Sequence, residues 1–145
     1  MECFFEARPI SSDTLRQAYA VMLLGFPALT LPEFRKCVAR DKKSGVMTGL
    51  FDRRGYVHAL FRCRVIAGPP GARKLSIADL ILSDAISSRL GNEMADALMI
   101  HAVANRCDQL TVDVVPLPQK ERAHMGNMLQ SLGFYGHDTV YERRV

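Results

Sequence analysis

One stretch, residues 74–106, constrains this chain more than any other. Its first part, Leu75-Ser-Ile-Ala-Asp-Leu-Ile-Leu82, has the apolar, β-rich character of an interior strand. Residues 83–92 are small and polar, with the usual turn formers. Residues 93–105 then read as a helix, with Met94, Leu98, His101, Ala102 and Asn105 along one side. A strand that feeds a helix through such a turn aims unpaired backbone N–H groups at one point. The helix dipole adds to those donors, so the unit is a ready anion site.

The elements on either side follow from periodicity and punctuation. Residues 3–8 read as a first strand closed by Pro9, and Ser11, Ser12 and Asp13 offer caps for a helix bearing Leu15, Ala18, Tyr19, Met22 and Leu23. Gly25-Phe26-Pro27 stops it. Thr30, Pro32 and Glu33 mark a second helix start, running to about Arg40 and followed by a solvated turn at 41–45. Residues 46–51, 56–66 and 75–82 are three strands separated by turns at 52–55 and 68–71, which predicts an antiparallel meander. Residues 109–115 alternate as a strand, so 75–115 implies a parallel pair with a right-handed crossover. Residues 119–132 form a helix ended by Gly133, and 134–135 and 139–145 are short closing strands.

Composition narrows the function. A chain of 145 residues with 48% hydrophobic and 23% charged residues fits one globular domain, 1–145. No apolar run approaches the roughly 20 residues needed to span a bilayer, and the start at Met1 lacks a signal-peptide pattern. The expected location is cytoplasmic. The net charge of +4 is spread over several small basic groups, which argues against a nucleic-acid partner and suits an anionic cofactor. Cys3, Cys37, Cys63 and Cys107 form no CxxC pair, and the histidines complete no zinc set, so reduced, mostly buried thiols and no metal are expected.

The central stretch resembles motif A of the GNAT family, the Gcn5-related N-acyltransferases that use acetyl-CoA. In that family a loop of pattern (Gln/Arg)-x-x-Gly-x-(Gly/Ala) holds the CoA pyrophosphate on backbone amides. Superposing the helix tails at Ala97, Leu98 and Met99 puts this loop on Leu90, Gly91, Asn92, Glu93, Met94 and Ala95. Ala95 keeps the pattern. Leu90 stands in place of Gln or Arg, beside Arg89, and Glu93 replaces the first Gly, while Gly91 offers a tight turn in a shifted register. The element order β-α-α-β-β-β-α-β-α-β-β follows the family along the whole chain, and Leu132-Gly133-Phe134 resembles its Leu-Gly-Phe signature.

The resemblance implies an α/β fold: a mixed, mostly antiparallel sheet with a central parallel strand pair and helices on both faces. It implies an acyl-CoA-dependent N-acyltransferase that moves an acetyl group from acetyl-CoA to a primary amine, on a small molecule or a peptide, by direct attack. Cofactor contacts then fall on Leu82 and Arg89, and on the loop from Leu90 to Ala95. Residues 75–82 should splay from 109–115 to admit the cofactor.

Asp79 is the candidate catalytic residue. Regular alternation sets it on the side of Leu75, Ile77 and Ile81, where desolvation would disfavour its ionisation and suit it to act as a general base. In the ungapped comparison it falls where some GNAT enzymes carry a catalytic Glu. The alternative is a structural carboxylate bonded to a neighbouring strand, a turn or a basic side chain such as Arg62 or Arg64. The family's acid, a Tyr on the last helix, corresponds to Leu129, and the Asn and Ala before it to Arg122 and Met125; His124 and Tyr135 are nearby substitutes. These departures keep open a second reading, a catalytically degenerate GNAT-fold module that binds a ligand or regulates. A homodimer also stays open.

Overall fold

Strand β4 (Arg73–Leu82), helix α3 (Ser88–Ala104) and strand β5 (Gln109–Asp113) form the expected crossover, with β4 and β5 parallel. The computed structural model describes residues 5–39, 45–69, 71–83 and 88–145. Around this unit lie β1 (Glu6–Pro9), α1 (Leu15–Gly25), α2 (Leu31–Ala39), β2 (Val46–Phe51) and β3 (Val57–Ala67) on the N-terminal side. Helix α4 (Gln119–Ser131), β6 (Tyr135–His137) and β7 (Val140–Arg144) follow it. The seven described strands make one sheet in the order β1-β2-β3-β4-β5-β7-β6, antiparallel everywhere except β4–β5. This is the mixed sheet expected from the sequence. Among the described residues no helix is long and apolar enough to cross a membrane.

Each face of the sheet carries its own core. Leu75, Ile77 and Leu80 of β4 join Leu110 and Val112 of β5 beneath α3 and α4, with Leu98 and Leu129 fully buried there. On the other face Leu60 and Ile81 pack with Ala18, Met22 and Phe34 of α1 and α2. Burying apolar side chains on both sides stabilises β4 by about 1.5–3 kcal/mol per large residue.

Local chemistry sets the helix ends. At the start of α2, Glu33 Oε1 accepts the Thr30 N–H at 3.0 Å while Thr30 Oγ1 accepts the Glu33 N–H at 3.3 Å. This is a reciprocal capping box. The Thr30 hydroxyl, donating to Glu33 Oε1 at 2.7 Å, and then the Thr30 N–H hold the Glu33 carboxyl below its usual value. The first helix starts later than expected. Thr14, not residues 11–13, occupies its cap position, because Ser11 and Thr14 bond one another. The Leu-Gly-Phe segment closes α4: Phe134 N–H donates to Leu129 O and Gly133 N–H to Gln130 O, with Gly133 at φ +89°. That pair of bonds is a Schellman motif, and Phe134 is buried against the core beside it. Helix α3 ends the same way, with Arg106 in the left-handed position at φ 57°.

Two expectations shift at their edges. The first strand is Glu6–Pro9, and Pro9 is tolerated inside it because β1 is an edge strand. Strand β5 stops at Asp113, whose Oδ1 accepts the Val115 N–H at 3.0 Å and turns the chain. Cys3 and most of the turn expected at 41–45 lie outside the described residues.

Candidate active site at the splayed strand pair

A one-residue irregularity in β4 decides where the site lies. Along the β3–β4 ladder Leu60 faces Ile81, but Arg62 faces Ala78. Strand β4 therefore carries one residue more than β3 across this step. Asp79 sits in it with φ 55°, a left-handed conformation that non-glycine residues seldom adopt. The bulge resets the alternation. Leu80, not Asp79, continues the buried row of Leu75 and Ile77, and Ile81 passes to the opposite core.

Asp79 is consequently not where alternation puts it. Its side chain is 64% exposed, and Oδ2 lies 3.6 Å from Arg62 Nε. The desolvated environment on which the general-base assignment rested is absent, and the contact with Arg62 matches the structural alternative. An exposed pair of this kind contributes about 0–1 kcal/mol.

The bulge also bends β4 away from β5. Their pairing runs from Lys74–Gln109 to Ile77–Val112 and ends there, while β4 continues to Leu82. Bulged strands bend and twist more strongly, so the two strands part as expected. A groove of about 260 Å³ opens at the parting. Its floor is Leu80, Ile81 and Leu82 of β4, facing Leu117 after β5. Leu24 and Gly25 at the end of α1 form one wall, and Pro116, Pro118 and Glu121 form the other. Gly25 packs closely there: a Cβ on it would stand 3.2 Å from Ile81 Cδ1, so the isoleucine end would have to shift by a few tenths of an ångström.

Ser83 continues the lining at the mouth, its N–H donating to His58 O at 2.9 Å. His58 is the extra residue of a second bulge, where Leu50 faces Ala59 but Phe51 faces Val57. Its Nε2 lies 2.8 Å from Asp52 Oδ2. Burial would raise the Asp52 carboxyl, but hydrogen bonds from His58 and from the Tyr56 and Arg54 N–H groups outweigh it and hold the group low.

The expected phosphate loop takes a different form. Of residues 83–92, 84–87 lie outside the described residues, and from Ser88 onward the chain is helical. Leu90, Gly91, Asn92, Glu93, Met94 and Ala95 thus belong to the first two turns of α3, not to a loop. Met94 and Ala95 are buried in the core. Helical N–H groups from Asn92 onward bond to carbonyls one turn back. The first described turn of α3 is Ser88, Arg89 and Leu90, so any unpaired donors of the helix lie no later in the chain than these residues. An anion held on them would lie on the N-terminal side of the expected loop.

At the expected acid position, Leu129 is fully buried and offers no proton. Tyr135 is 73% exposed on the edge strand β6, and His124 is exposed on α4. Neither lines the groove. The sequence reading missed Glu121, which does line it. Its signal was visible as an acidic residue in the first turn of α4, directly after Pro116-Leu-Pro118.

A larger hollow of about 530 Å³ lies toward the other end of β4, lined by Thr48, Cys63, Arg64, His101 and Asn105 among others. Burial lowers the His101 ring there and pushes the Cys63 thiol up to about 12. Both shifts keep these groups neutral. The splayed end is the better candidate site.

No protein-family model and no curated protein sequence matches the chain. Solved structures do. The GNAT domain of S. lividans PAT superposes with a TM-score of 0.64 at 16% identity, covering 96% of this chain and 89% of that one. A GCN5-related N-acetyltransferase from Kribbella flavida gives 0.61 at 16% identity over 98% of both chains. Glucosamine-6-phosphate N-acetyltransferase from Arabidopsis thaliana gives 0.58 at 16% identity, over 92% of this chain and 93% of that one. The fold is the GNAT fold.

Proposed function

We propose that the protein is an acyl-CoA-dependent N-acyltransferase acting on a primary amine. The observation that carries this reading is the parting of β4 from β5 at the Asp79 bulge, which opens a groove at the strand end from which α3 departs. An acyl-CoA fits this arrangement chemically. Its pyrophosphate suits the N–H groups at the positive, N-terminal end of α3, of which Ser88, Arg89 and Leu90 are the first described residues. Its pantetheine suits the apolar floor of Leu80–Leu82, where the β5-facing backbone edge lacks a strand partner and can donate to amide groups.

When bound, the thioester supplies the acyl group. The ammonium first loses a proton to water; the free amine nitrogen then forms a bond to the carbonyl carbon as the carbon–sulfur bond breaks, and the departing coenzyme A thiolate takes up the second nitrogen proton through solvent. Backbone donors at the end of β4 would stabilise the developing oxyanion. Asp79 enters this proposal as the residue that bends the strand, not as the base.

Calorimetry with acetyl-CoA, followed by thiol release on adding amines, tests the reading. Binding is expected between about 1 µM and 1 mM. Glu93→Gly should leave that affinity unchanged, since the donors lie a turn before Glu93; a large gain would show that this carboxylate opposes the cofactor. The fully buried Leu129 at the family's acid position favours a second reading, a GNAT-fold module that binds a ligand without transfer. Binding heat with no thiol release on any amine would support it.

A further inference from the structure

The mouth of the groove carries a specificity of its own. Leu24, on one wall, is 60% exposed. A large apolar side chain at this exposure gives the mouth a wettable apolar rim beside an apolar floor. Among the described lining residues Glu121 is the only ionisable one. Lys120 and Arg122 flank it on α4 but do not line the groove. A site built to receive a phosphorylated or carboxylated acceptor needs a cation in reach, and the described lining supplies a carboxylate instead.

We infer that the acceptor is a primary amine on an uncharged apolar body, its ammonium held by Glu121 and its body seated on Leu24. The inference rests on the acyl-transfer reading and adds the substrate class to it. Glu121 is a specificity-determining residue here: it lowers the KM for cations and repels anions, by Coulomb attraction and repulsion in a partly dry groove. The apolar rim adds discrimination of the order seen for hydrophobic pockets, about 10–200-fold per well-placed group.

The test compares two acceptors with acetyl-CoA, following thiol release: phenethylamine, and glucosamine 6-phosphate as the anionic probe. The expected result is a kcat/KM for phenethylamine at least about tenfold above that for glucosamine 6-phosphate. Glu121→Gln should raise the phenethylamine KM about tenfold with little change in kcat, and Glu121→Lys should narrow or reverse the preference. Leu24→Ser, at an exposed position, should weaken phenethylamine alone. Equal use of both acceptors, or a preference unmoved by Glu121→Lys in a folded protein, overturns the inference while leaving acyl transfer standing. Acetyl-CoA binding without transfer to either amine overturns it too. Failure to bind acetyl-CoA ends the acyl-transfer reading itself, and the inference falls with it.

Discussion

Up to Ile77, strand β4 is held on both edges; beyond Ala78 it is held on one. In the first half, Leu75 and Ile77 face Val65 and Cys63 of β3 and Leu110 and Val112 of β5, and are almost wholly buried. In the second half β3 remains, β5 is gone, and the strand becomes the floor of a groove. The residue types hardly differ between the two halves. The difference comes from one inserted position, Asp79. A regular strand maximises ladder bonds, and a bulge gives some of them up to place backbone and space where a ligand could use them.

The largest effect that would sharpen this contrast is chemical. Cys63 lies against Ile77 in the doubly held half, where burial, with a smaller contribution from Cys107, pushes its thiol from 9.0 to about 12. The thiolate fraction near neutrality then falls about a thousandfold relative to an exposed thiol. Iodoacetamide at pH 8 should therefore modify the half-buried Cys37 and spare Cys63 until the protein unfolds. The sign for stability follows. The folded value is the raised one, so this contribution is complete below pH 9 and is lost as pH rises toward 12, and denaturation midpoints should decline over that window. Rapid Cys63 alkylation in the native protein would show that this half is not closed.

Next in size is packing. Leu75→Ala should cost about 2–5 kcal/mol in urea denaturation, whereas Leu82→Ala, half-buried over the groove, should cost under about 2 kcal/mol. Equal losses would mean that the two halves are equally packed and that the groove is not open.

Deleting Asp79 attacks the comparison directly. Removing the bulged residue leaves Leu80 on the face of Ile77 and Ile81 on the other, so every core side chain keeps its side. The chain should fold with stability near wild type, while β4 straightens against β5 and acetyl-CoA affinity falls at least about tenfold, or about 1.4 kcal/mol. Retained affinity in the folded deletion would separate the groove from the bulge.

The smallest effect concerns backbone strain. Asp79→Gly should gain up to about 1 kcal/mol, relief of the left-handed conformation being offset in part by glycine's entropy. Arg106→Gly, at the end of α3, should gain slightly more, because Asp tolerates this region better than Arg. A loss at Asp79 with a gain at Arg106 would show that the Asp79 side chain contributes more than its contact with Arg62.

Much of the fold was legible in sequence because its causes are local. Thr30 and Glu33 cap α2 by reaching three residues along the chain, and Leu132-Gly133-Phe134 closes α4 through bonds made within six residues. The strand–helix–strand unit followed from a change of apolar period, and the parallel pairing from the handedness such units must have. The turn-to-helix character of the α3 segment was legible, but its register was not, since residues 90–95 lie within the helix. Aligning a motif from the helix tail assumes a fixed start, and the helix begins at or before Ser88.

Tertiary structure alone decided the groove. Nothing in Ala78-Asp79-Leu80 announces an extra residue, since a bulge is defined only by what lies opposite, here Leu60 and Arg62 of β3. Period-2 reading therefore sent Asp79 to the buried face, and one inserted position reversed it. Glu121 and Leu24, far apart in sequence, meet across the groove only because α1 and α4 end at the same edge of the parted strands. Sequence determines what each segment prefers. Which side chains share a cavity depends on register between strands, and a shift of one residue there turns a side chain from core to solvent.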